Sequence, residues 1–354
     1  MIPSLDDAAV YKQVDPTGLG ERIASMPTQC RDAWVKAQAF SLPDAYRKAQ
    51  RVLLLGMGGS AIGGDLLADL QEQAGAAPVE VHRGYGRAAP PDRDTLVIAS
   101  SNSGNTEETF SAFQKAWKPG TLGLICTRGG ILATHGEMLG VPVFPMEVGG
   151  EPRCAVGYSL FALLGFMQRL GLAQDRSGEV VEAIGLMQRM VRDIGPDVPT
   201  RRNLAKEMAV RAHGKALVIV GAQHLTATAK RWKTQIAENA KGLAFWDTLP
   251  EGNHNTIEGL QYPPGAPNDF FWVMLESSLY SPRVAMRFAY TKQILADSGY
   301  AFETHGPQGK GALAQVMTTV LFGDYVSYYL AIANGVDPSA TPNLNRFKKL
   351  MAGQ

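Results

Sequence analysis

Arg51-Val-Leu-Leu-Leu-Gly56-Met-Gly58-Gly59-Ser60-Ala61 decides the fold: an apolar, β-rich run reaches a glycine, and small residues lead straight into a helical stretch, Ala61 to Gly75. In a strand-to-helix turn of this kind, glycines let the backbone approach a ligand while free N–H groups at the helix start point toward it, which favours an anion such as phosphate. The pattern continues downstream. β-rich runs at Val79 to His82, Thr95 to Ser100, Leu122 to Thr127 and Val141 to Pro145 are separated in several places by helical segments, including Thr106 to Ala116. Continuous apolar strands alternating with helices predict an α/β architecture, a parallel sheet covered on both faces.

A second turn, Ser100-Ser101-Asn102-Ser103-Gly104-Asn105-Thr106, also lies between a strand and a helix and concentrates hydroxyl donors. Hydroxyls together with helix-start amides suit a terminal phosphomonoester. The candidate contacts are Gly58, Gly59 and Ser60 in the first loop and Ser101, Ser103 and Thr106 in the second. Two other readings stay open. The same serines and threonines are also ordinary helix caps. The first loop also satisfies GxGxxA, a dinucleotide fingerprint. The acid expected at the end of the next strand is replaced by His82 and Arg83, and Arg83 is available to a 2′-phosphate, so an NADP-dependent oxidoreductase is a competing function.

Residues 1–50 are polar and proline-punctuated, with helical stretches near Leu19 to Met26 and Arg31 to Phe40, and read as an N-terminal arm. Residues 51–176 form the first domain, closed by a helical stretch from Val156 to Leu172. Residues 177–199 are a connecting helix, Ser177 to Ile194, stopped by Gly195-Pro196 and Pro199. Residues 200–354 are the second domain. It begins with a weak repeat of the first motif: the strand Ala216 to Gly221, then a helix from Leu225 to Ala240, joined by Gly221-Ala-Gln-His224 without adjacent glycines or serine. Two related sheets with one phosphate loop are the simplest account. A strand at Phe270 to Leu275, a helix at Arg283 to Asp297, a strand near Tyr300 to Thr304, a long helix from Gly311 to Asn334 and a terminal helix after Pro342 complete the chain.

At 354 residues the chain is long enough for two domains of ordinary size. With 34 basic and 33 acidic residues, a net charge of +1 provides no field to gather nucleic acid or an anionic membrane. The N-terminus has no basic region followed by an apolar stretch of signal-peptide length, and no run approaches the ~20 apolar residues of a membrane span. A soluble, cytoplasmic protein is expected, with no nucleic-acid or membrane partner. Cys30, Cys126 and Cys154 are widely spaced and outside any CxxC pattern, and His82, His135, His213, His224 and His305 lack HxH or HExxH spacing. Neither a disulfide framework, a metal site nor another cofactor is expected.

Taken in order, Gly56-Met-Gly-Gly-Ser-Ala61, Ser101-Asn-Ser-Gly-Asn-Thr-Glu-Glu-Thr109, Glu151-Pro-Arg153, Ala237-Glu-Asn-Ala-Lys241, Asn253-His-Asn255, Gly323-Asp-Tyr-Val-Ser-Tyr-Tyr-Leu-Ala331 and Asp337-Pro with the tail Thr341 to Lys348 cover most of the chain from about residue 50. This ordered set resembles the sugar-isomerase (SIS) domain proteins and, within them, the bifunctional phosphoglucose/phosphomannose isomerases. The resemblance implies two SIS domains, each a parallel flavodoxin-like sheet flanked by helices, and a homodimer with shared active sites. It further implies a small-molecule sugar phosphate as substrate: metal-free isomerisation of glucose 6-phosphate, and usually mannose 6-phosphate, to fructose 6-phosphate. A non-catalytic or regulatory sugar-phosphate-binding SIS protein and an amino-sugar phosphate isomerase are the alternatives. No glutamine-hydrolysing domain is read ahead of the first sheet, which argues against glucosamine 6-phosphate synthesis.

Aldose-ketose isomerisation opens the ring and moves a proton between C1 and C2 through an enediolate, so it needs a base, a ring-opening acid/base and a positive group beside the oxyanion. The resemblance nominates Glu238 as base, although a helical glutamate otherwise faces solvent and pairs at i, i+3, here with Lys241. It nominates His254 for ring opening, in the partner subunit's active site, and the ordinary pKa of histidine suits that task. Where the family usually continues with an acid after this motif, Thr256 follows Asn255. Arg153 matches the arginine near the C1 and C2 oxygens, with a salt bridge to Glu151 as the plainer expectation. Leu344, Phe347 and Met351 mark one face of the terminal helix, whose lysine in the family enters the active site; Lys348 fits, and Lys349 fits if the register shifts by one. Thr341 matches the threonine that leaves room for both C2 epimers. Tyr325 to Tyr329 and Trp246 read as packing rather than ligand contacts, the tyrosine segment in the core or a dimer interface.

Overall fold

A computed structural model describes residues 3–86 and 91–353. The first half runs α1 (Ala8–Val14), α2 (Leu19–Ala24), α3 (Met26–Ala39), β1 (Arg51–Gly56), α4 (Gly58–Gln73), β2 (Val79–His82), β3 (Thr95–Ser101), α5 (Glu107–Ala116), β4 (Leu122–Thr127), α6 (Gly130–Leu139), β5 (Val143–Pro145), α7 (Val156–Leu170) and α8 (Ser177–Ile194). The second runs α9 (Leu204–Ala212), β6 (Ala216–Ala222), α10 (Thr226–Gln235), β7 (Ala244–Leu249), α11 (Ala266–Asp269), β8 (Phe270–Leu275), α12 (Pro282–Asp297), β9 (Ala301–His305), α13 (Ala312–Asn334) and α14 (Pro342–Met351).

The first sheet has the order β2-β1-β3-β4-β5 and the second β7-β6-β8-β9. Every pairing is parallel. In each sheet the first strand in sequence sits inside, flanked by the second and third, which is the flavodoxin-like order, and ligands bind such sheets at the carboxyl ends of the strands where the order reverses. Gly56 pairs with Ser100 in the β1–β3 register. The two expected phosphate loops therefore emerge side by side at that switch point.

The inner strands are buried throughout: β3 and β4 expose no residue, and β1 only Arg51. On one side α3 packs on α7; elsewhere α13 is wedged against α8, α9 and α10. The reading that no segment is apolar enough to span a membrane is corrected here. Helix α13, with 23 residues and a mean hydropathy of 1.3, passes by length and composition, and its apolar window is wholly buried in the fold. Gln315, Thr318, Thr319, Asp324 and Ser327 break up its apolar run in the sequence, and all five are buried. The N-terminal arm is pinned by the buried Lys206, whose ammonium donates to Leu5 O at 2.6 Å and Pro196 O at 2.7 Å and lies over the rings of Tyr11 and Tyr329.

Two elements near the site depart from the sequence reading. The helix expected over Leu225 to Ala240 is broken: α10 ends at Gln235 and the chain widens into a π-type turn over Ile236–Ala240, closed by the Lys241 N–H on Ile236 O with Lys241 at φ 56°. Strand β7 was not anticipated. It is an edge strand, and Phe245 and Trp246 are 45% and 39% exposed, so Trp246, expected to pack, is only partly covered within one chain. Tyr325 and Tyr329, by contrast, are fully buried in α13.

Candidate active site

Both loop helices begin without a side-chain cap. Neither Met57 ahead of α4 nor Thr106 ahead of α5 makes a side-chain bond to the helix amides, which disfavours the reading of Ser and Thr as mere caps and leaves helix-start N–H groups open to an anion. Gly58 adopts φ +48°, a left-handed conformation that favours glycine. Ser60 Oγ accepts the Asn102 N–H at 3.1 Å and so ties the two loops together. In the second loop the buried Ser101 faces inward, its hydroxyl 2.9 Å from Thr106 Oγ1 and accepting the Gly104 N–H at 3.1 Å. Ser103 is exposed, and among the described residues its Oγ accepts only the Asn105 N–H, at 3.2 Å. Gly104 has no room for a side chain: a Cβ would lie 1.7 Å from Gly129 O.

Arg153 sits in a short 3-10 turn, Pro152–Ala155, that packs directly on the first loop: a Cβ on Gly59 would fall 2.7 Å from the Pro152 carbonyl and 2.8 Å from the Arg153 nitrogen. Its guanidinium, 5% exposed, crosses to the second half of the chain. There Nε donates to Asn239 Oδ1 at 2.7 Å, Nη1 to Glu238 Oε2 at 3.2 Å, and Nη2 to the carbonyls of Pro338 and Ser339 at 2.8 and 3.1 Å. The fold thus joins Arg153 and Glu238. The expected pairing of Arg153 with Glu151 is not made, because Glu151 is taken by Arg22 in a two-bond fork at 2.8 and 3.0 Å. Burial by itself would raise the Glu151 carboxyl. Its own backbone amide and the charges of Arg22 and Arg153 outweigh that and hold it below the usual range.

The Glu238 carboxylate, on the π-type turn, remains 30% exposed. Its expected i, i+3 partner is elsewhere: Lys241 donates to the backbone carbonyls of Glu238 and Asp337 at 2.8 and 2.6 Å. Burial, and then the nearby charge of Arg153, lower the Lys241 pKa. A carboxylate beside a buried, fixed cation can shuttle a proton while the cation stabilises an adjacent oxyanion. Behind the pair, Asn239 Nδ2 donates to Ser327 Oγ at 3.0 Å, and Arg231 bridges Asp324 at 2.5 Å and Arg153 O at 3.1 Å. Asn239, Asp324 and Ser327 stand within the motifs quoted above without a role assigned to them there, and Arg231 stands outside every motif.

His254 is not brought to this pair. It is the exposed last residue of a 3-10 turn, Glu251–His254, whose Gly252 is buried, and its imidazole makes no hydrogen bond among the described residues. The hydroxyl and N–H of Thr256 are both donated to Asn255 Oδ1. Thr341 is the residue ahead of α14 and makes no side-chain cap bond. Helix α14 buries none of its residues; Leu344, Phe347, Leu350 and Met351 are 48%, 60%, 64% and 61% exposed, and Lys348 and Lys349 are both exposed. The dinucleotide reading loses its cation, since Arg83 forms a fork on Asp65 at 3.1 and 2.6 Å, and Asp65 also receives Lys230 at 2.9 Å.

Residues 201–351 match the family described as the bacterial phospho-glucose isomerase C-terminal SIS domain. A bifunctional phosphoglucose/phosphomannose isomerase from Caldicellulosiruptor bescii is 34% identical over 94% of this chain and 98% of its own length. A D-glucosamine-6-phosphate 4-epimerase from Sulfolobus acidocaldarius is 29% identical over 65% of this chain and 70% of its own. Among solved structures, a hypothetical protein from Thermus thermophilus superposes with a TM-score of 0.73 at 17% identity, covering 98% of this chain and 92% of that one.

Proposed function

The chain belongs to the bifunctional phosphoglucose/phosphomannose isomerase family, and from that premise we propose that it interconverts glucose 6-phosphate and mannose 6-phosphate with fructose 6-phosphate through an enediolate. The observation that carries the mechanism is the 3.2 Å contact of Arg153 with Glu238, made by an arginine whose backbone rests on Gly59 of the first phosphate loop. The phosphate is held by the amides of Gly58 and Gly59 with the hydroxyls of Ser60, Ser103 and Thr106, while Ser101 shapes the second loop. With the phosphate fixed there, the other end of the opened sugar extends toward Arg153. Glu238 takes the proton from C2 of the aldose and returns it to C1, and Arg153 balances the negative charge that develops on the C1 and C2 oxygens.

His254 opens the ring from the partner subunit of a homodimer, and Lys348 (or Lys349) reaches the substrate once α14 is covered. The exposure of both in a single chain supports this arrangement. The site is cytoplasmic and uses no cofactor. The test is a coupled assay of hexose 6-phosphate conversion with wild type and Glu238→Gln. The isosteric amide is expected to lower kcat by about 10²- to 10⁴-fold, the share of a general base, while hexose 6-phosphate binding by calorimetry persists. A wild-type dimer that binds hexose 6-phosphates without turnover would refute the isomerase. The similarity to a D-glucosamine-6-phosphate 4-epimerase favours one second reading, an amino-sugar phosphate substrate, and turnover of glucosamine 6-phosphate faster than of glucose 6-phosphate, read by chromatography of the amino-sugar product, would select it.

A further inference from the structure

Arg22, on α2 of the N-terminal arm, reaches the same junction as Arg153 from the opposite side. Its Nε and Nη2 fork onto Glu151 at 2.8 and 3.0 Å, Nη2 also donates to Ser339 Oγ at 2.9 Å, and Nη1 donates to Thr17 O at 2.5 Å. Thr17 Oγ1 donates to the same Ser339 hydroxyl at 2.6 Å. The neighbouring backbone is shaped to admit this side chain: Gly150 adopts φ +81°, and a Cβ there would lie 2.4 Å from Arg22 Cδ. Ser339 is therefore held twice, its hydroxyl by the arm and its carbonyl by Arg153 at 3.1 Å. Glu151 stands two residues before Arg153, and Ser339 two before Thr341.

We propose that Arg22 is a positioning residue of the active site: it clamps the Glu151-Pro-Arg153 turn to the segment that leads into α14, and so fixes where the Arg153 guanidinium meets Glu238. The arm takes part in orienting the catalytic pair and is more than a cover over the first sheet. A forked, charge-assisted contact that is about four-fifths buried is suited to this, because it defines direction as well as distance. An arginine is required, since the ammonium of lysine cannot hold Glu151 and Ser339 in the same geometry. The role in turnover rests on the isomerase reading; the clamp itself does not.

The test compares wild type, Arg22→Lys and Ser339→Ala, full chain in each case, by two measurements. Amide hydrogen exchange is followed over residues 337–341 and 150–154, and isomerase turnover is measured in parallel. Both substitutions are expected to raise exchange at Ser339 and Ala340, whose N–H groups donate to Asp337 Oδ1, with the thermal midpoint nearly unchanged. Arg22→Lys should also lower kcat by roughly 10- to 100-fold with little change in KM, as a misplacement of about 1 Å at the reacting centre does, whereas Ser339→Ala, which leaves the Glu151 fork intact, should lose less. Unaltered exchange in Arg22→Lys overturns the proposal whatever the activity. Raised exchange with unaltered kcat in an active enzyme also overturns it. A wild type without turnover refutes the isomerase reading alone, and exchange then decides the clamp.

Discussion

Arg153→Lys keeps the positive charge and removes the fork, which makes it the sharpest perturbation of the site. The four acceptors that Arg153 serves, Asn239 Oδ1, Glu238 Oε2, Pro338 O and Ser339 O, are spread over three nitrogens at 2.7 to 3.2 Å. One ammonium cannot span that set, so at least two acceptors around a side chain that is itself only 5% exposed lose their donor. A buried polar group left unpaired costs about 1–3 kcal/mol, and solvent that follows the smaller head recovers part of it. The unfolding free energy is expected to drop by about 2–4 kcal/mol. The catalytic loss is separate: a charge displaced from the developing oxyanion forfeits about 10²- to 10³-fold in kcat, the value of one pre-organised donor. KM should move much less, because the phosphate loops are untouched. Urea unfolding and a coupled fructose 6-phosphate assay read the two effects. A lysine variant within about threefold of wild-type kcat/KM would refute the assignment of Arg153 to the transition state, and full stability would refute the count of buried acceptors.

Two further outcomes follow from the geometry. Gly59→Ala forces a Cβ to within 2.7–2.8 Å of the Pro152 and Arg153 backbone; overpacking of this kind costs about 1–3 kcal/mol, and the shift it imposes on Arg153 should lower kcat about tenfold or more, so an alanine variant of normal activity would disprove the coupling of loop and arginine. Asp69 accepts the Ala227 N–H at the start of α10 at 2.6 Å, and burial, with Asp65 and Glu72 adding to it, raises its pKa to about 7 against the opposing Ala227 N–H and Lys230. A raised carboxyl favours the folded state fully only below its ordinary pKa of about 4, and that contribution is lost as the pH climbs toward 7, at about 1.4 kcal/mol per unit. Urea midpoints from pH 4 to 7 for wild type minus Asp69→Asn should therefore fall with pH, and parallel curves would reject the shift.

The sheets were readable because their inner strands are buried on both faces. Val52 to Leu55, Thr95 to Ser100, Leu122 to Thr127 and Phe270 to Leu275 are short, largely apolar runs, and they form β1, β3, β4 and β8, all inner strands of their sheets. Strand β7 escaped for the opposite reason. As an edge strand it leaves Phe245 and Trp246, on its two faces, 45% and 39% exposed, so Trp246 suggested packing rather than a strand. Helix α9 did have a signal, the Asn203 side chain accepting the N–H groups of Ala205 and Lys206. It was masked by the prolines and arginines just ahead of it. The π-type turn at Ile236–Ala240 had none, since Ala-Glu-Asn-Ala continues a helical pattern without interruption and the departure depends on what Asn239 and Lys241 bond to in space.

The candidate site divides the same way, between contacts within one loop and contacts across the fold. The phosphate loops are local, so composition and position on the strand suffice to find them. Arg153 and Glu238 stand 85 residues apart and meet only because the fold brings the Pro152–Ala155 turn against the π-type turn at Ile236–Ala240. No spacing rule could pair them, and the local expectations, Arg153 with Glu151 and Glu238 with Lys241, were each displaced by a longer-range partner. Arg22 is the extreme case: it belongs to no motif, and its importance follows from the space that Gly150 leaves for it and from Ser339 accepting its bond. His254 and Lys348 fail to assemble for a different reason. The exposed face of α14 and the open edge at Trp246 leave apolar surface uncovered in a single chain, and in the homodimer proposed above a second copy would cover them while bringing His254 to the other active site. If dilution to monomer abolished neither turnover nor the protection of α14 from exchange, that half of the site would have to be sought within one chain.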